Sequence, residues 1–176
     1  MSRNTEWTYS SDKLTLMAST RLFTFPDPVD EVSARLVAGG VVLLSVLALV
    51  SGWSWLVGLM ALGFIARVAT GPTLSPLGLL VTRVVRPRLA VAPRLVPGPP
   101  KRFAQAIGAV VTTSAAVVAL GFDERVVVDV LLVGMIVAAT LESVFAICLG
   151  CKVFAALMRV GVIPESVCER CANLRA

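Results

Sequence analysis

Histidine is absent from the 176 residues of this chain. That removes His-ligated metal sites, Ser-His-Asp and Cys-His catalysis and imidazole proton relays at once, leaving carboxylates, thiolates and lysines to act as acids, bases or ligands. Charge is scarce too: 15% of residues are charged and 57% apolar, where soluble domains average about 25% and about 45–50%. With a mean hydropathy of +0.87, the chain has too little polar surface to cover itself in water. Acids are missing altogether from residues 71–102, which hold seven of the ten prolines and six Lys/Arg. The net charge is +5, but the cations lie between apolar blocks rather than along one soluble face. This is a juxtamembrane pattern, and nucleic acid is not expected as a partner. Residues 1–33 lack a short apolar core followed by a small-residue cleavage site, so the first span is expected to act as its own insertion signal.

The apolar blocks predict an all-α fold, an integral membrane four-helix bundle with spans at about 34–51, 53–70, 103–122 and 126–148. Residues 1–24 are polar, without sustained periodicity, and read as a flexible cytoplasmic N-terminus. Asp27-Pro28 reads as the N-cap and first position of helix one, with Asp30 and Glu31 complementing its dipole and Glu31 pairing with Arg35 one turn on. Trp53 and Trp55 suit a headgroup interface at the first turn. In the basic loop, Ser75-Pro76 caps a short amphipathic helix over 77–85, expected to lie on the membrane surface. Gly108, Thr112 and Ala116 form a small-residue stripe that suits close helix packing, within one chain or between copies in a homo-oligomer or larger membrane complex. Asp129 is expected to be solvated. From 126 to 159 the chain stays helix-compatible for about 34 residues, ~50 Å, so it either tilts into the cytoplasm or breaks near Gly150. Gly161 and Pro164 end it, and 161–176 form a cytoplasmic Cys-containing tail.

Lys/Arg placement sets the expected orientation. Arg3, Lys13, Arg21 and Arg35 precede the first span, six cations fill the central loop, and four follow Cys148, while the opposite face has only Arg125. Four spans with both termini in the cytoplasm put every basic segment inside.

All four cysteines fall in two CxxC motifs, Cys148/Cys151 and Cys168/Cys171, separated by 16 residues. The predicted topology puts both in the reducing cytoplasm, where structural disulfides are the least attractive reading. Two chemistries stay open, beside the bland one of small apolar filler. C-x2-C, a spacer of 15 to 20 and C-x2-C is a four-thiolate pattern that could hold zinc or an iron–sulfur cluster. Thiol redox or sulfur relay instead needs one thiolate of lowered pKa, which a helix N-terminus or neighbouring cations favour and a helix interior does not. Arg67 and Glu142 fall at matching depths in spans two and four, so an intramembrane ion pair is expected, with Glu142 facing the bundle. With Thr112, Thr113 and Ser114 they are also the only polar groups available to a small-solute or sulfur-anion channel.

The strings FPDPVDEVSARL, GPTLSPLG, PGPPKRFAQAIG, LESVFAICLGC and the terminal CERC together resemble a bacterial, chiefly actinobacterial, integral membrane family, domain-of-unknown-function family 4395. The resemblance covers most of the chain from Phe25 onward. It implies a small four-span protein of the bacterial inner membrane, encoded near thioredoxin-like or sulfurtransferase genes. It carries no catalytic role, although Lys101, Arg102, Phe103, Glu142, Cys148 and Cys151 stand in its motifs. The leading expectation is a thiol-redox or sulfur-relay partner of a thioredoxin- or rhodanese-like protein, working through Cys148, Cys151, Cys168 and Cys171. The alternative is a non-enzymatic scaffold whose four cysteines bind metal.

Overall fold

A computed structural model describes residues 25–122, 124–168 and 171, and the N-terminal segment 1–24 lies outside the described residues. The described chain is helical but for one minimal ladder. β1 (Val29–Asp30) pairs antiparallel with β2 (Leu95–Val96). Because the backbone is still extended at Asp30, helix α1 (Glu31–Ser51) starts there and not at Pro28. Asp30 is the N-cap: Oδ1 accepts the Val32 N–H at 3.2 Å and Oδ2 accepts the Ser33 hydroxyl at 2.8 Å. Asp27, expected in that role, instead accepts the Gly98 N–H at 2.9 Å. The other expected contact of this turn is also replaced. Glu31 pairs with Arg94 at 3.0 Å, and Arg35 turns to helix α5, as described below.

Gly52, at φ 72°, closes α1 by donating its N–H to Ala48 O at 3.0 Å, a left-handed cap that glycine adopts without a Cβ penalty. Trp53 and Trp55 stack with centroids 5.6 Å apart at the start of α2 (Ser54–Thr70), Trp53 as its N-cap and Trp55 in its first turn. Ser75 Oγ accepts the Gly78 N–H at 3.3 Å and starts α3 (Pro76–Leu80). The expected 77–85 helix is therefore composite: α3 widens over Val81–Val85 and tightens over Arg86–Arg88. Helix α4 (Gly98–Gly121) carries Pro99 and Pro100 in its first turn, where no N–H partner is required. It begins five residues before the expected 103 and takes Lys101 and Arg102 into the helix. Helix α5 (Arg125–Ser143) ends well short of 148, and a separate helix, α6 (Leu149–Arg159), follows.

Helix α2 packs along α4 and α1 along α5, while α4 also meets α5 and α6. Small side chains make the close approach possible. Gly108, Thr112 and Ala116 all lie buried on α4, and a Cβ at Gly108 would collide with the Phe64 ring. A core of Ala48, Leu56, Val57, Ala115, Val128 and Leu132 joins the helices. The outer faces remain apolar: Leu43, Val50, Leu62, Val110, Leu120 and Val130 are all exposed. Among the described residues three helices, α1, α4 and α5, are long and apolar enough to cross a membrane. With 17 residues, α2 reaches about 25 Å and falls short of a ~30 Å hydrocarbon layer.

The chain has two distinct ends. At one, Arg125 Nη2 donates to Leu49 O at 2.7 Å and Nε meets Asp129 at 2.9 Å, so Asp129 is ion-paired rather than simply solvated. At the other end lie the β1–β2 ladder, the start of α4 and the α5–α6 break.

Candidate functional site: a dithiol at a helix break

Of the two expectations for 126–159, a continuous tilted helix or a break near Gly150, the structure shows a break, at residues 144–148. The last carbonyls of α5 are met in two ways. The Phe145 and Ile147 N–H groups both donate to Leu141 O, at 3.2 and 2.9 Å, across a left-handed Ala146 (φ 57°). From α1, Arg35 Nε and Nη2 donate to Ser143 O at 3.1 and 3.0 Å, and Nη2 also to Val144 O at 3.1 Å. A charged fork thus terminates α5 and satisfies carbonyls that the helix itself leaves without partners.

Cys148 follows in an extended conformation and is the N-cap of α6. Its Sγ accepts the Cys151 N–H at 3.3 Å and lies 2.6 Å from Cys151 Sγ. Both are free cysteines, Cys148 buried and Cys151 half-buried. Gly150 lets α6 dock on α4, since a Cβ there would lie 2.6 Å from the Ala104 Cα. Helix position, hydrogen bonding and charge now act on one sulfur. The thiol hydrogen bond from Cys151 holds the Cys148 thiol below its ordinary value, helped by the Lys101 charge and the Cys151 N–H, against burial and Glu142. The same hydrogen bond pushes Cys151 up, and burial adds to the rise. This is the asymmetry of a nucleophile and its resolving partner. Iodoacetamide is therefore expected to modify Cys148 first, with a midpoint below the ordinary thiol value of about 8.5. Peptide mass spectrometry across a pH series checks this, and prior labelling of Cys151 would contradict it.

The Arg67–Glu142 pair expected from matching depths is not the one formed. Lys101 Nζ meets Glu142 Oε1 at 2.7 Å, both side chains largely buried. Lysine 101 reaches Glu142 because α4 begins early enough to carry it inward. Arg67 instead donates from Nε to Gly63 O at 3.2 Å and lies over the Phe64 ring, 4.1 Å from its centroid. Of the residues proposed for a channel, Arg67 and Glu142 line one cavity, and Thr112, Thr113 and Ser114 do not join them. Thr112 returns its hydroxyl to Gly108 O at 2.7 Å, and Ser114 is exposed.

The tail turns back at Gly161 (φ 77°) and passes through a tight turn, Glu165–Val167. Cys168 packs on Phe154 and Met158 and is bonded to Cys171, S–S 2.00 Å. A disulfide, the least expected state, is the one present. It displaces the shared four-thiolate site, since these two sulfurs are bonded to each other. Among the described residues no group of three or more cysteines and carboxylates is arranged to hold a metal ion. The two pairs nonetheless share a space: Cys148, Cys151 and Cys171 line one cleft of about 380 Å³, with Lys101, Lys152 and Glu31 on its walls. Sequence reasoning had found all four cysteines and Glu142 but missed Arg35 as the cap of α5. No local pattern marks that contact, which joins residues 108 apart.

No curated protein and no solved structure matches the chain. A family model does match, over residues 29–159, and covers every helix described above. The chain belongs to the family described as Domain of unknown function (DUF4395).

Proposed function

We propose that this protein is a membrane-embedded thiol–disulfide relay, in which the Cys148/Cys151 dithiol and the Cys168–Cys171 disulfide exchange two electrons. The observation that carries the reading is the convergence of three of these sulfurs on one cleft, with Cys148 capping a helix. In the step, the Cys148 thiolate attacks Cys171 Sγ and releases Cys168 as a thiolate, forming a Cys148–Cys171 mixed disulfide. The Cys151 thiolate then attacks Cys148 Sγ and releases Cys171. The net result is a Cys148–Cys151 disulfide and a reduced tail pair, two electrons and two protons having moved from the first pair to the second. Cys171 is the sulfur open to the cleft and Cys168 the buried one, which favours this direction of attack.

The external partner in this reading is a thioredoxin- or rhodanese-like protein on the cytoplasmic side of a bacterial inner membrane. Four spans in a bundle, α2 included, with both termini inside, account for the charge. The turn end carries Arg125, while Arg86, Arg94, Lys101 and Arg102 gather at the site end. A shorter α2 is accommodated by local bilayer thinning, and its Trp53 and Trp55 mark the outer interface.

Replacing the resolving thiol tests the relay. In Cys151→Ser the mixed disulfide has no resolving attack and is expected to accumulate as a Cys148–Cys171 crosslink, read by non-reducing peptide mapping. Absence of that crosslink, or one tightly bound zinc per chain with no free thiols, overturns the proposal.

A further inference from the structure

A second cavity, of about 240 Å³, lies between the helices on the inner side of the dithiol. Its walls are apolar except for Arg67, Gln105, Glu142 and, at one edge, Cys148. Arg67 is 6% exposed. Among the described residues its Nη1 has no hydrogen-bond partner, and neither has Gln105 Oε1 on the facing helix. Buried guanidinium nitrogens without an acceptor are costly enough to require an explanation.

The neighbouring charges sharpen the point. Glu142 is the carboxylate of this cavity, and its Oε1 is held by Lys101, so Arg67 feels it only at longer range. At the same end Asp30 is committed to Arg86 and Glu31 to Arg94, and Asp27 accepts from Gly98. Among the described residues two cations, Arg67 and Lys101, therefore face one carboxylate. With Cys148 in its neutral thiol form the site has a deficit of one negative charge. Its walls, Val37, Val41 and Met135 among them, offer nothing to replace the water of a strongly hydrated ion, so sulfate and phosphate are disfavoured there. A guanidinium with free donors in a half-open apolar cleft suits an ion that gives up its water readily.

We propose that this cavity binds a monovalent, weakly hydrated anion, held by the Arg67 guanidinium beside Cys148. The Gln105 amide lies opposite and serves in its flipped orientation as a second donor. The chemistry is one negative charge with a soft hydration shell. Two sources supply the single charge: a weakly hydrated inorganic anion, or the carboxylate of a fatty acid entering from the bilayer, whose stronger hydration is offset by burial of its chain.

Titration calorimetry of the full-length protein in an uncharged detergent, with thiocyanate, sulfate and dodecanoate as probes, tests the site. One saturable thiocyanate site is expected, with sulfate weaker by about tenfold or more, and Arg67→Gln is expected to lose about tenfold or more in affinity. Gln105→Glu, which places a carboxylate opposite Arg67 and fills the deficit from within, is expected to abolish binding while raising thermal stability. Competition between the probes assigns the source: tighter dodecanoate means a lipid carboxylate, tighter thiocyanate a free anion. Equal binding of sulfate, or unchanged thiocyanate binding in both variants, overturns the site. Cys171→Ser separates this proposal from the relay, because it removes the tail disulfide, lies outside this cavity and is expected to leave anion binding intact.

Discussion

Lys101→Met is expected to destabilise the protein by about 3–5 kcal/mol, because it strands the Glu142 carboxylate in the interior without its cation. The magnitude follows from burial of both partners and their 2.7 Å contact. Arg67 does not substitute, being tied by Nε to Gly63 O and packed on Phe64. In the double variant Lys101→Met/Glu142→Leu the stranded charge is gone, and stability is expected to return to within about 1 kcal/mol of the native chain. Unfolding by SDS in mixed micelles measures both. A single variant as stable as the native protein would show that the pair contributes nothing.

Arg35→Met is expected to act on the site from a different helix. Three hydrogen bonds from one guanidinium end α5 at Ser143 and Val144. Without them the last carbonyls of α5 are left to water or to onward propagation of the helix, and propagation draws residues 144–148 into helical conformation and removes Cys148 from its capping position. The loss in stability is about 2–3 kcal/mol. The chemical effect is larger: Cys148 alkylation near neutral pH is expected to slow by about tenfold or more as the thiol loses the helix N-terminus. Arg35→Lys, with a cation but no fork, is expected to recover only part of that rate. If Arg35→Met reacts as fast as the native protein, the fork does not set the reactivity of Cys148.

These two residues also mark where the sequence stops being legible. Long apolar blocks, the Ser75 cap and the small stripe on α4 are local patterns, and the helices appear where those patterns lie. The cysteine pairs were equally plain from spacing. What governs their chemistry is not local. The sequence leaves open a continuous tilted helix or a break near Gly150, yet Gly150 lies inside α6 and serves its docking on Ala104. The break itself sits at an alanine and is held by an arginine from another helix. Lys101 was placed ahead of the third span because a charge beside prolines looks like a loop. Prolines at the start of a helix are compatible with it, so the helix begins before them and the lysine reaches Glu142 ahead of Arg67. Arg67 matched Glu142 in depth, but depth fixes only one of three coordinates.

The short β1–β2 ladder has a bearing on the site out of proportion to its four residues. It joins the strand that leads into α1 to the strand that leads into α4, and so fixes the axial offset between two helices that do not follow one another in the chain. Arg35 then falls about 6 Å into α1 and Lys101 about 5 Å into α4. Both cations arrive at one level, that of Glu142 and Ser143 at the foot of α5. The ladder is a depth gauge: slipping it by one step would raise one cation past its target and leave the other behind.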